Sequence, residues 1–580
     1  MNRKERRAAG RHQKKAAATP GRAEEQEALS KAHLAAGELI PAILAAQRAL
    51  ELRETPEIKG LFAQCVRQVR FTSENEALRK LLLRAMQEGW ARPRDLAQVS
   101  ISAVKINSMT RDLIARVNAA WPERLPVDEM LATSGNTALA RDPLLRALLE
   151  SDLASDLDLE RVLTNVRRSM LAMRDAGEPL DKELLGFYCA VARQCFLNQY
   201  IFAITPDEAA QARSLREVLQ QALATGAPYP VLWPVIVAAY FPLYRTTNSE
   251  ALLARSWPAA VRNLIVQQIE EPLEEQRIAA TIPALTSIGG DVSRAVRDQY
   301  EKNPYPRWVK SGPPVRPAAS SDARAADARA ALTHNVLIAG CGTGLSTIEL
   351  AQQARDAHIL AIDLSLASLS YAKRMAQKFG IANVEFAHAD ITQLGAITQP
   401  GSMSRTFDFI DASGVLHHLA DPWHGWRLLL ERLRPGGTMQ VGLYSELARQ
   451  NVVAARALIA ARGYQPTLDG IRLARADIIA NPDPLVRSVS QWADFFSADE
   501  CRDLLFHVQE HRIGLPEIGA FLAENGAQFS RFILDAGTLQ RFAQRFPDRA
   551  SMIDLACWHR FETEAPNTFT GMYNFLIRKS

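Results

Sequence analysis

Residues 335–351 read NVLIAGCGTGLSTIELA, an apolar run of four (336–339) that passes through Gly340-Cys341-Gly342-Thr343-Gly344 into an amphipathic stretch. A short β-prone run, a glycine turn and a 3.6-period helix together predict the first strand and crossover of a parallel sheet. Glycines at alternate positions let the backbone turn sharply and approach a ligand with no Cβ in the way. The spacing is G-x-G-x-G, whereas the dinucleotide fingerprint is G-x-G-x-x-G, which argues against a nicotinamide or flavin dinucleotide.

Working outward, strands are expected at 335–340, 358–363, 384–390, 407–413, 438–444, 528–535 and 571–579. The first five alternate with helical patterns, the signature of a doubly wound sheet. Asp363 closes the second strand 19 residues after Gly344, where a carboxylate can accept both hydroxyls of a ribose, and Leu364 follows it. Asp390 ends the third strand, placed to accept from an exocyclic amine, with Ile391 along a purine face. Two acids beside a glycine turn make an adenosine site at the carboxyl edge of the sheet, and Ser413 at the end of the fourth strand joins it.

The whole chain has 580 residues, enough for several domain-sized units. Its 47% hydrophobic and 23% charged residues are those of a globular protein, and a net charge of +4 argues against nucleic acid as the default partner. Six scattered cysteines without a C-x-x-C pair read as reduced thiols of a cytoplasmic protein, with no metal site. Residues 1–22 carry eight Lys or Arg against one Glu and no apolar run behind them, so they are read as a basic disordered leader. Residues 23–297 read as an α-helical domain. The apolar stretch 228–244 is interrupted by four prolines and too short to span a bilayer, and is read as a buried helix. Residues 298–332, with YEKNPYPRW at 300–308, read as a lid or linker, and 333–580 as the α/β domain with a helical insertion at 445–525 covering its site.

The GCGTG loop, Asp363, HADI at 388–391, FDFIDASGVLHHLADP at 407–422 and LRPGG at 433–437 resemble a class I S-adenosylmethionine-dependent methyltransferase domain. The resemblance implies a Rossmann-like seven-stranded sheet and S-adenosyl-L-methionine as cofactor. Gly340, Gly342 and Gly344 would hold its amino-acid moiety, Asp363 the ribose and Asp390 the adenine. Ala339 departs from the pattern, since many relatives carry Asp or Glu before the first glycine. Near 25–70, Gly37 at a turn and Ala42, Ala46 and Ala49 on one helical face resemble a single tetratricopeptide unit. With NPYPRW, the whole arrangement is similar to bacterial tetratricopeptide-repeat methyltransferases of unassigned substrate.

Methyl transfer from a sulfonium needs the nucleophile aligned and water excluded, and a base only where the acceptor must lose a proton. His417 and His418, on the loop after the fourth strand, are the base candidates, because imidazole titrates near neutrality. Tyr444 and Glu446 after the fifth strand are further candidates to contact the acceptor. The HH run also resembles the E-x-x-E-H segment of metal-dependent quinone O-methyltransferases, but Gly414 and His417 occupy the positions of its acids, which disfavours a metal. His507 and His511 are read as one turn apart on a solvated or packed helix face rather than a metal pair, and Trp492, Phe495 and Phe496 as core. The expected function is methyl transfer to a protein or small-molecule acceptor, the helical region docking a partner or substrate. A non-catalytic scaffold with a cofactor-binding module and an RNA methyltransferase are the alternatives.

Overall fold

The computed structural model describes residues 21–175, 181–312, 335–396 and 406–580. Most of the basic leader (1–20) and of the linker (313–332) lies outside them. The chain divides into two compact units, residues 1–269 with 308–320, and residues 270–307 with 321–580.

The first unit is helical throughout its described residues. Residues 21–35 turn at Gly37 (φ +77°) into α1 (Leu39–Leu52), followed by α2 (Pro56–Val66). Ala42, Ala46 and Ala49 of α1 are fully buried, and Ser30 donates its hydroxyl to the carbonyl of Ala42 at 2.8 Å, so the small residues do allow close helix packing. Deeper in the unit, α3 (Leu157–Ala172), α4 (Pro206–Thr225) and α5 (Leu232–Tyr240) enclose an ion pair. Arg167 bonds Glu208 at 2.8 Å, both side chains are almost completely buried, and the Tyr240 hydroxyl donates to the same carboxylate at 2.6 Å. Helix α5 is the buried segment expected from 228–244, and no described helix is long and apolar enough to cross a membrane.

The second unit opens with α6 (Glu271–Ala279) and α7 (Asp291–Lys302). Its sheet comprises β1 (Asn335–Ala339), β2 (His358–Asp363), β3 (Val384–His388), β4 (Phe407–Ser413), β5 (Leu433–Leu443), β6 (Ala527–Phe532) and β7 (Tyr573–Lys579), in the order β3-β2-β1-β4-β5-β7-β6. The first five strands are parallel; β7 lies antiparallel between β5 and β6. This is the expected Rossmann-like seven-stranded, mostly parallel sheet. Buried strands rich in Ile, Val, Leu and Ala satisfy a sheet covered on both faces, and an aromatic cluster closes its antiparallel end, where Trp558 stacks on Phe542 at 3.6 Å.

The unit boundary differs from the expected 297/298. Residues 283–286 run parallel to the free edge of β3: Leu285 N–H donates to the His388 carbonyl, and His388 N–H to the Pro283 carbonyl, both at 2.9 Å. Helix α6 is held to α9 (Leu366–Lys378), the crossover after β2 as α8 (Leu345–Gln353) is after β1, by Arg374, which pairs with Glu275 at 2.9 Å and Glu271 at 3.3 Å. Segment 270–307 thus packs on the sheet, and Trp308 beyond it belongs to the helical unit.

Candidate functional site

Strand order reverses between β1 and β4, and a doubly wound sheet places its ligand crevice at that switch point, outside the strand ends. The glycine turn leaves β1 there. Gly340 and Gly344 both have positive φ, and a Cβ on them would fall 2.5 Å from Val415 and 2.6 Å from Ala372 respectively, so only glycine fits. Gly342, between them, has its amide on Asp363 Oδ2 at 2.8 Å. Asp363 Oδ1 accepts from Ser365 N–H at 2.9 Å, and both oxygens keep acceptor capacity for the hydroxyls of a ribose. Burial pushes the Asp363 carboxyl up, against the amides of Ser365 and Gly342 that favour its ionised form.

Asp390 is fully buried and more heavily used. Its Oδ1 accepts from the amide and hydroxyl of Thr392 at 2.9 and 2.7 Å, and its Oδ2 from the Gly289 amide at 3.1 Å, while its own N–H donates to Thr286 Oγ1 at 2.7 Å. Asp390 therefore holds segment 286–289 against the end of β3, with lone-pair capacity left on Oδ2 for one more donor. Leu364 lends its carbonyl to His388 Nε2 at 2.8 Å, Ile391 is buried, and Ser413 donates to Asp411 Oδ1 at 2.6 Å.

Residues 300–306 cross the glycine turn. Thr343 Oγ1 donates to the Pro306 carbonyl at 2.5 Å, and the Tyr305 carbonyl stands 3.1 Å from where a Cβ on Gly342 would be. Glu301 accepts from the Ser365 hydroxyl at 3.1 Å and the Ala367 amide at 3.2 Å, a carboxylate at the N-terminus of α9.

On the other side of the turn the loop after β4 meets the insertion, which begins with α10 (Gln450–Arg462) and continues through α11 (Leu468–Ala480) and α12 (Ala498–Phe506). His417 and His418 are buried, their rings 4.3 Å apart, and the Tyr444 ring lies 3.9 Å from His417. Neither nitrogen of His417 has a hydrogen-bond partner of ordinary geometry among the described residues. Burial drives His417 far below the usual imidazole range, with the neighbouring His418 adding to it, and lowers His418 as well. Arg449 lies 3.6 Å over the Tyr444 ring and bonds Glu510 at 3.0 Å.

His507 and His511 do not share a helix face as expected, because α12 ends at Phe506 and the chain then runs in irregular structure. His507 instead stacks on His418 at 3.8 Å, with Tyr300 and Asp503 beside it, while His511 bonds Gln509 at 2.8 Å. Ligand-type atoms of His418, Asp503 and His507 lie within 4.8 Å of one another, the one group among the described residues that could take a cation. Glu446 is exposed, and Phe495 and Phe496 are buried, Phe495 beneath Arg475. Sequence reasoning missed Thr286, Gly289, Glu301, Asp503 and Gln509; only the Gly289-Gly290 pair carried a local signal, that of a turn.

A doubly wound sheet with a glycine turn at its switch point and acids on the two adjoining strand ends is a Rossmann-like nucleoside-binding fold. Within it, residues 333–463 match the family model described as methyltransferase domain. The chain is 37% identical over 102 residues to trans-aconitate 2-methyltransferase of Deinococcus radiodurans, covering 18% of this chain and 34% of that protein. It is 32% identical over 205 residues to an uncharacterised protein of Synechococcus, covering 34% of this chain and 48% of that one. The chain thus spans between a third and a half of the length of these curated relatives. Among solved structures it is similar to PKMT2 from Rickettsia typhi in complex with AdoHcy, with a TM-score of 0.30 at 17% identity over 43% of this chain and 49% of that one. Residues 333–463 of the second unit thus match a methyltransferase domain, and the cofactor that the motifs lead one to expect there is S-adenosyl-L-methionine. The residues present fit that cofactor: a glycine turn in which Gly340 and Gly344 leave no room for a Cβ, and carboxylates with acceptor capacity at the end of β2 and just past β3.

Proposed function

We propose that the protein transfers a methyl group from S-adenosyl-L-methionine to an acceptor bound under the 445–525 insertion, by in-line displacement. The observation that carries this reading is the Gly342–Asp363 contact at the switch point, which joins the glycine turn to a carboxylate with acceptor capacity to spare. Gly340, Gly342 and Gly344 would border the amino-acid moiety, Asp363 with Leu364 the ribose, Asp390 with Ile391 the adenine, and Ser413 the strand end facing them. When bound, the cofactor supplies an electrophilic methyl on a sulfonium. The chain's own part is to orient the acceptor and exclude water, with residues 300–306 over the turn and the insertion beside it. His417, His418 and Tyr444 are the acceptor-side candidates.

We further propose that the helical unit, with its tetratricopeptide-like hairpin, docks a partner or substrate, and that the protein works in the cytoplasm, where its free thiols would persist. Calorimetric titration of the full chain with S-adenosyl-L-methionine tests the main reading. Binding by the wild type that is lost in Asp363→Ala supports it, and a folded wild type that binds no cofactor sinks it.

A further inference from the structure

Two stacked imidazoles beside the cofactor turn are held in opposite tautomers by the main chain of one residue. Gln509 accepts from His418 Nδ1 at 2.8 Å through its carbonyl and donates its N–H to His507 Nδ1 at 3.0 Å. The hydrogen-bond network therefore assigns the proton of neutral His418 to Nδ1 and leaves a bare lone pair on Nε2. For neutral His507 it assigns the proton to Nε2, which faces the Tyr300 oxygen at 3.2 Å, and the Tyr300 hydroxyl in turn donates to Asp503 Oδ1 at 2.5 Å. His418 Nε2 makes no hydrogen bond among the described residues, although the ring is 6% exposed.

From this arrangement we propose that His418 Nε2 is the base that removes a proton from the methyl acceptor, that Tyr300, Asp503 and His507 are positioning residues for it, and that the acceptor is therefore a neutral hydroxyl compound of the phenol or enol class. This rests on the methyltransferase reading above. A neutral amine attacks a sulfonium without losing a proton first and a carboxylate arrives already ionised, so neither needs a base. A hydroxyl does. The loop that carries His418 is adjacent to the cofactor turn, since Val415 on it closes against Gly340.

The step balances. The acceptor O–H gives its proton to His418 Nε2 as its oxygen forms the bond to the methyl carbon; the S–CH3 bond breaks and its electron pair stays on sulfur as a neutral thioether. One positive charge leaves the sulfonium and one appears on the imidazole, so the charge of the buried site is unchanged, with Asp503 close enough to favour the imidazolium.

The same atoms argue against a cation. A metal on His507 Nε2 would displace the proton there to Nδ1, against the Gln509 N–H that already points at it.

The test uses the full chain labelled with 15N-histidine, the His418 signals being assigned by His418→Gln. The expected result is an Nδ1–H tautomer for His418 and an Nε2–H tautomer for His507. The His418 titration should fall by about one pH unit in Asp503→Asn and recover in Asp503→Glu, a response that mere packing would not give. Besides Asp503, the groups facing His418 are His417 and Tyr444 on its own side, and His507, Tyr300, Glu510 and Arg449 from the lid and insertion. An Nε2–H tautomer for His418 overturns the proposal, as does zinc or manganese binding at micromolar strength that vanishes in Asp503→Asn. With labelled methyl donor, methylation of 4-hydroxyphenylacetate methyl ester at its hydroxyl, abolished in His418→Gln, supports it; preferential methylation of the 4-amino analogue overturns it. Loss of S-adenosyl-L-methionine binding by the wild type would instead be a failure of the underlying reading.

Discussion

The amide of Gly342 and Oδ2 of Asp363, 21 residues apart in sequence, are joined by a 2.8 Å hydrogen bond, so the carboxylate at the end of β2 also fixes the loop at the end of β1. Replacing it by the isosteric amide removes the charge and turns either an oxygen or an NH2 group toward that N–H. Asp363→Asn is expected to weaken S-adenosyl-L-methionine binding about 10- to 100-fold, the scale of one or two hydrogen bonds to a charged group. Unchanged affinity by calorimetry would remove Asp363 from the cofactor site.

The glycines of the turn should separate folding from binding. Gly344→Ala forces φ +80° on an alanine whose Cβ would lie 2.6 Å from that of Ala372, and is expected to destabilise the sheet unit by about 2–4 kcal/mol. Gly342→Ala has φ +52° and meets the Tyr305 carbonyl at 3.1 Å, a milder strain of about 1 kcal/mol. Thermal melts of the two variants should differ clearly while both lose cofactor binding; equal melts contradict the packing argument.

Stability should depend on pH through the buried imidazoles. Burial, with His418 alongside, holds the folded titration of His507 down to about 2 against 6.5 for an ordinary histidine. Between those values the unfolded chain binds a proton that the fold refuses, so stability is full above 6.5 and falls as pH drops below it. Each such histidine contributes a slope of about 1.4 kcal/mol per pH unit, and His417 and His418 are displaced in the same direction. Urea midpoints of the sheet unit at about pH 7.5 and 5.5 should differ, and His507→Gln should reduce the difference. A flat profile would mean these rings are hydrated.

In the helical unit, Glu208→Gln leaves the Arg167 guanidinium buried without its counter-charge. The expected cost is about 3–5 kcal/mol, read by denaturant unfolding, whereas an exposed pair such as Lys80–Glu76 should contribute less than about 1 kcal/mol. Similar costs for the two would show that solvent reaches Arg167.

The sheet was legible because each strand carries its own signal. All seven expected segments overlap observed strands, with β5 starting earlier, at Leu433, where Pro435 and Gly436 hid its beginning. The positions of the two acids were legible for the same reason, since Asp363 closes β2 and Asp390 follows two residues after β3 ends at His388. What escaped the sequence depends on contacts between distant segments. Residues 283–286 pair with β3 through backbone atoms alone, with no alternating pattern to mark a strand. Asp503 reaches Tyr300 across 203 residues and lies on a helix whose sequence looks like any amphipathic surface. Helical spacing between His507 and His511 fails because α12 stops at Phe506, a boundary that the local sequence does not mark.

The pairing of 283–286 with β3 also says where this chain can be cut. A fragment beginning at residue 333, where the family match starts, would bare the hydrogen-bonding edge of β3 and leave Asp390 without Gly289 and its amide without Thr286. An open parallel edge of this kind invites intermolecular strand addition. A fragment beginning at residue 270 keeps that edge paired, together with Arg374 and both of its acids, and is the better piece to express for testing the proposed function.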